Sequence, residues 1–241
     1  MTTPTAASID RLSDRLGALS NEVANFGPRS VPTALRRDHV LAAATLAFVA
    51  DGFDGASMAG IASRAGVTKP VVYGLFGSKE QLFAAVIDHV GDQMQRHIAI
   101  ATAAGGRSRL VDGVRAYLLD AAEQQHLWGP VFATAARYSA VSDAVHRLHR
   151  RQVDLIVAAL RRGHEEHGID ADPREIEALA HLVIGAVQSV AQWWSRHPEL
   201  DVDEVTAFLD TTLSPALAAL RADRPSADWF SAPAEAPDAA P

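Results

Sequence analysis

Lys69, Val71 and Tyr73 stand close together behind the string Ala65-Gly66-Val67-Thr68, and their chemistries complement one another. A lysine ammonium can bond the acceptor edge of guanine or grip a phosphate oxygen. A valine methyl can meet the methyl of thymine, and a phenolic hydroxyl can bond a phosphate. Thr68 is a natural N-cap, and Pro70 falls in a first helical turn, where its missing N–H costs little. Downstream, Ser78-Lys79-Glu80-Gln81 reads as a capping box, Ser78 with Gln81. It leaves Lys79 and free backbone N–H groups facing outward, an arrangement suited to phosphate.

Other chemistry is thinner. His146 with His149, and His164 with His167, share an i, i+3 spacing that puts each pair on one helix face and raises the question of a metal. Arg147, Arg150, Arg151, Arg161 and Arg162 beside them would repel a cation. A solvated helix face is therefore the expected role, and no metal is expected. The chain has no cysteine, which excludes disulfides, thiolate zinc sites and cysteine nucleophiles. Neither a Gly-x-Ser-x-Gly string nor a P-loop occurs, so the expectation is not an enzyme, and no cofactor is implied.

Helices must position these residues. Apolar residues recur at the helical period from Arg36 to Leu220 and no stretch alternates like a strand, so the fold class is all-α, with about nine helices. A helix from Arg36 to Gly52 turns Leu41, Ala44 and Phe48 to one side and ends at its glycine. Ser57 caps a short helix through Arg64, with Ile61, Ala62 and Ala65 inward. Gly66 supplies the left-handed residue of a tight turn, and in the third helix Val72 and Phe76 face a small core. A three-helix helix-turn-helix DNA-binding domain over 34–82 thus precedes a helical domain over 83–221. The net charge of −7 argues against general coating of nucleic acid. Between Ala34 and Val90 five basic residues, Arg36, Arg37, Arg64, Lys69 and Lys79, balance five acidic ones, so any DNA contact must be local.

Gly52-Phe53, Ile61-Ala62, Ala65-Gly66-Val67-Thr68, Val72-Tyr73, Phe76 and Ser78-Lys79-Glu80-Gln81-Leu82, in this order, resemble the DNA-binding domain of TetR-family regulators. The resemblance implies a homodimeric transcriptional repressor, bound to a palindromic double-stranded DNA operator and released by a small, largely apolar effector. Met58-Ala59-Gly60 and Gly74-Leu75 depart from the longer or more polar residues frequent in the family. Contacts should therefore shift toward Lys69 and Val71, or toward Arg29, Arg36 and Arg37. The expected DNA-binding set is Arg36, Arg37, Ser57, Thr68, Lys69, Val71, Tyr73 and Lys79.

In the second domain the helix from Pro173 to Arg196 is apolar nearly all round, and Gly185 and Ser189 would allow another helix to approach closely. Pro215 should kink or interrupt the helix that follows. The resemblance implies that these two helices form a four-helix dimer interface, with Leu182, Gly185, Ser189, Phe208 and Leu213 as candidates. Met94, Tyr117, Leu118, Trp128, Phe132, Tyr138, Ile156, Gln188, Gln192 and Trp193 are candidates for an effector-binding cavity, though many suit an ordinary core equally well. Gly129-Pro130 reads as a hinge or a loop.

Both ends carry further signals. In the extension 1–33, Ile9, Leu12, Leu16, Leu19, Val23 and Phe26 make an a/d stripe over 6–26. It is either a frayed segment or an added helix docked on the body or on a dimer mate. Residues 222–241, rich in Pro, Ala and Asp, are expected to be disordered, with Trp229-Phe230 as a docking option. The N-terminus lacks a signal-like pattern, and no apolar run approaches the roughly 18 residues that span a bilayer. A cytoplasmic location without membrane contact is expected.

Overall fold

The computed structural model describes residues 6–26, 31–103, 111–122, 137–166, 172–197 and 199–222. Regular structure among these residues is helical throughout. The elements are α1 (Ala6–Ala24), α2 (Thr33–Gly55), α3 (Met58–Arg64), α4 (Lys69–Phe76), α5 (Lys79–Ala103), α6 (residues 111–122), α7 (Ser139–Glu166), α8 (Pro173–Trp194) and α9 (Val202–Ala222). Arg29, Trp128, Gly129-Pro130, Phe132, His167 and the segment after residue 222 lie outside the described residues.

Local rules account for the turns. Gly52 adopts φ 70°, which breaks α2 and leaves one more turn before the Ala56 N–H bonds back to the Gly52 carbonyl at 3.1 Å. Ser57 caps α3, its Oγ accepting from the Gly60 N–H at 3.0 Å. Gly66 takes φ 60° and closes α3 with two reversed bonds, Gly66 N–H to the Ser63 carbonyl and Val67 N–H to the Ala62 carbonyl. This Schellman pattern satisfies carbonyls that the helix end would otherwise orphan.

A large apolar cluster joins α2, α3, α4 and α5 to the first half of α7, from Phe48, Ile61, Val72 and Phe76 through Phe83 to Met94, Val141 and Leu148. It runs across the expected boundary at residue 82, because α5 passes unbroken from one unit into the other. Two smaller clusters tie α6, α8 and α9 together through Val114, Leu118, Val187 and Leu209, and α7 to α8 through Val153, Leu160 and Ala180. At the closest approach of α5 and α7, a Cβ on Gly91 would lie 2.6 Å from Leu148 Cδ1. Asp88 and Asp92 flank that contact with ion pairs to Arg147 and Arg151 at 2.5–2.9 Å.

The N-terminal stripe belongs to a docked helix. Leu12 and Leu16 of α1 pack against the large cluster, and α2 is buried without a break from His39 to Thr45. A supporting helix of a three-helix unit alone would bury one stripe, so the opposite side of α2 needs the cover that α1 provides. Phe26, the last residue of the stripe, is 40% exposed and stays outside the seam. At the other end, Pro215 does not interrupt α9, which runs through it to Ala222. Pro215 is exposed, so water can satisfy the carbonyl that its missing N–H leaves free.

Candidate nucleic-acid interface and effector cavity

The turn at Gly66 sets α4 across α3 with one face buried. Val72 and Phe76 are buried, Lys69, Pro70, Tyr73 and Gly74 are exposed, and Val71 is half-buried at the edge. Thr68 occupies the N-cap, its carbonyl accepting from the Val71 N–H at 3.0 Å, but its side chain makes no capping bond. The exposed end of α4 therefore offers the Thr68 hydroxyl, Lys69 and Tyr73 together. The Lys69 ammonium lies 5.6 Å from the centre of the Tyr73 ring, and both residues are exposed.

Two further cations rest on phenylalanine rings beside α4. The Arg37 guanidinium lies 4.8 Å from the Phe76 ring centre, and Lys79 Nζ lies 4.6 Å from that of Phe53. Lys79 also donates to the Asp54 carbonyl at 3.3 Å, so it is held against the end of α2 rather than extended into solvent. Arg36 donates to the Val31 carbonyl at 3.3 Å. Ser57 spends its hydroxyl on the α3 cap, which sets it apart from the outward-facing members of the expected set. The Gln81 N–H bonds Ser78 Oγ at 3.2 Å, one half of the expected capping box, while the Ser78 N–H bonds the Phe76 carbonyl at 2.9 Å. Sequence reasoning missed Arg137, which pairs with Asp54 at 3.1 Å from just before α7. Its neighbour Tyr138 packs on Phe53 with ring centres 5.2 Å apart and the planes tilted by 46°. No local motif marks that contact; only the fold brings residues 54 and 137 together.

Between α5, α6, α7 and α8 lies a cleft enclosing about 760 Å³ of empty space, part of it open to solvent. Tyr117, Ile156 and Gln188 line it as expected, with Ile98, Val114, Leu155, Val183, Ile184 and Val187 adding an apolar wall. Polar groups also line it. Gln188 donates to Gln152 Oε1 at 3.1 Å, and Tyr117 shares the lining with both. Burial pushes the Tyr117 hydroxyl up to about 12, with nearby Gln188 opposing by a smaller amount. Arg162 and Thr102 also line the cleft.

Five other candidates do not line it. Met94 is buried in the large cluster and Leu118 in the α6–α8–α9 cluster, while Tyr138 packs on Phe53. Gln192 is exposed, and Trp193 is 43% exposed and stacked on His197 with ring centres 4.3 Å apart, as part of the outer side of α8. Trp194, one residue on, turns inward, its indole N–H bonded to the Leu200 carbonyl at 2.9 Å. The histidine reading also needs correction at His164, which is buried with Nδ1 2.8 Å from the Leu160 carbonyl rather than on a solvated face. Among the described residues, no group of three His, Asp or Glu side chains is placed to hold a metal ion.

One face of α8 and α9 stays uncovered. Leu182 and Phe208 are 60% and 58% exposed, and Gly185 and Ser189 share the open side of α8, where a Cβ on Gly185 would meet nothing within 4 Å. Leu213, by contrast, packs inward against the α6–α8–α9 cluster.

Residues 40–86 match the family described as bacterial regulatory proteins, tetR family, and residues 106–214 match the tetracyclin repressor-like C-terminal domain. The chain belongs to the TetR family. It is 36% identical over 114 residues to the transcriptional activator FasR of Mycolicibacterium smegmatis, a stretch covering 46% of this chain and 50% of that protein. An uncharacterised helix-turn-helix-type transcriptional regulator of Mycobacterium tuberculosis is 27% identical over 162 residues, 64% of this chain and 65% of the relative. The matched stretch thus spans half to two-thirds of these curated relatives. A TetR-like transcriptional regulator from Rhodococcus sp. RHA1 superposes with a TM-score of 0.56 at 26% identity, over 78% of this chain and 98% of that one. These relatives are described as regulators of transcription rather than as enzymes. In this TetR-family chain the first match begins inside α2, so α1 lies outside both matched stretches.

Proposed function

We propose that the protein is a sequence-specific, DNA-binding transcriptional regulator that acts in the cytoplasm as a homodimer on a palindromic operator and is released by a small, largely apolar effector. The observation that carries this reading is α4, a short helix anchored by Val72 and Phe76 that holds Lys69 and Tyr73 in solvent at its N-terminal end. One such helix reads only a few base pairs, so a two-fold partner is needed for useful discrimination. The open apolar face around Leu182 and Phe208 supports that partner being a second copy of the chain. The cleft between α5 and α8, apolar with Tyr117 and the bonded pair Gln188 and Gln152 as polar handles, suits the effector.

The family resemblance implies repression, whereas the Mycolicibacterium relative is named an activator. The direction depends on where the operator lies relative to the promoter. Selection of bound duplexes from a random pool tests DNA recognition, and a reporter carrying the selected site then decides the direction. A half-site repeated with two-fold symmetry is the expected outcome. Enrichment of no sequence at low micromolar protein and moderate salt would sink the proposal.

A further inference from the structure

We propose that α1 is a positioning element for DNA recognition, a brace that ties α2 of the DNA-binding unit to the body-side half of α5 and so fixes the angle at which α4 is presented. The inference rests on the DNA-binding reading above and assigns a role to a segment outside both family matches.

One helix makes polar contacts to both elements. On the α2 side, Ser20 Oγ donates to the Leu16 carbonyl of its own helix at 2.8 Å, which uses its single proton. The contact with His39 Nε2 at 2.8 Å must then have His39 as the donor. On the α5 side, Arg15 Nη1 donates to Gln93 Oε1 at 2.6 Å, and Gln93 Nε2 donates to His89 Nε2 at 2.6 Å. Arg15 Nη2 reaches the same His89 nitrogen at 3.4 Å, and two donors facing one nitrogen make it an acceptor. His39 and Gln93 are both buried, so breaking either bond strands a polar group away from water. Beside these polar contacts, Leu12 and Leu16 pack against the large apolar cluster.

Geometry gives the brace a function. A dimer must hold its two recognition helices about one DNA turn apart, roughly 34 Å. That distance is set by the angle between each DNA-binding unit and its body. The links between them are α5 and, at the C-terminal end of α2, the contacts of Phe53 with Tyr138 and of Asp54 with Arg137; α1 adds a tie on the other part of α2, at His39. When the competent angle is only one of several, apparent operator affinity falls by the fraction of molecules that hold it.

The test uses full-length Arg15→Gln, Ser20→Ala and the double variant, none of which removes the Leu12–Leu16 seam. Affinity is measured for the duplex selected by the wild type and for a random duplex of equal length. Amide exchange across residues 39–45 and the thermal midpoint are followed in parallel. The double variant should lose about tenfold on the selected duplex, keep its random-duplex affinity within twofold, and exchange faster in α2. Ser20→Thr, which keeps the hydroxyl, should restore the Ser20 share. Should the double variant not fold, Arg15→Gln alone carries the same comparison, because Arg15 is an exposed residue. Equal affinity for the selected duplex, equal losses on both duplexes, or a lower midpoint with unchanged binding would each overturn the proposal. If the wild type selects no duplex, the DNA-binding reading fails and takes this one with it. Selection followed by unchanged variants overturns the brace alone.

Discussion

Lys69 and Lys79 carry the same charge but are held differently. Lys69 stands on the exposed end of α4, beside Tyr73, where a side chain can enter a groove. Lys79 is pinned between the Phe53 ring and the Asp54 carbonyl, beside the N-terminus of α5. Lys69→Ala should therefore cost about 1–3 kcal/mol on the preferred duplex and relax the preference at particular bases. Lys79→Ala should weaken all duplexes alike and lower the salt slope by about one. It should also cost about 0.5–1 kcal/mol of stability through the lost ring contact. Competition binding against single-base variants, a salt titration and urea unfolding separate the two. If both variants act equally on selected and random DNA, these roles are wrong. Gly66 is a second residue whose role is local. At φ 60°, Gly66→Ala should destabilise the chain by about 1–2 kcal/mol in urea unfolding.

Between elements, one close constraint lies where α5 meets α7. Gly91 admits Leu148, which is buried and cannot swing into solvent. Gly91→Val should overpack the contact and cost about 1–3 kcal/mol. A neutral or stabilised variant in urea unfolding would show that α5 and α7 separate more easily than their packing implies. The uncovered face of α8 and α9 makes a different demand. Leu182→Glu with Phe208→Glu should leave the fold intact, because both residues are exposed, yet yield a monomer in sedimentation. Binding to a two-fold site should then fall steeply, while a dimer that persists in the double variant would place the interface elsewhere. The same packing logic explains α1, since only a second helix accounts for the unbroken burial of α2 from His39 to Thr45.

At the scale of the molecule, the α1 brace makes stability depend on pH. Burial holds His39 below the ordinary imidazole value. Burial, and then Arg15, do the same for His89, with Arg96 acting alongside and Asp38 and Asp92 opposing. Both folded-state values lie below the unfolded ones, so the unfolded chain takes up protons first as the pH falls. Their contribution is fully present above about pH 6.5, the unfolded imidazole value, and is lost as the pH drops through the folded values. The thermal midpoint should hold steady from pH 8 to 7 and decline below about 6.5. The decline should be shallower in a His39→Asn, His89→Gln variant. An identical slope in that variant would remove these two histidines as the cause.

The sequence alone determined what depends on neighbours along the chain. Gly52, Gly66 and Ser57 announce a turn or a cap through their own backbone preferences, and the period of Val72 and Phe76 turns Lys69 and Tyr73 outward. The same local rules placed the helical body, while Leu182 and Phe208 were singled out by the family resemblance. Tertiary structure decided which apolar residues meet. An apolar side chain carries no address, so Met94, Leu118 and Tyr138 went to core contacts while Tyr117, Ile156 and Gln188 came to the cleft. Long-range pairs were invisible for the same reason, Arg137 with Asp54 and Arg15 with Gln93 being set by helix packing rather than by spacing. The a/d stripe of α1 disclosed that it needed a partner surface; only the fold showed that the surface is α2, with Arg15 reaching across to Gln93 of α5.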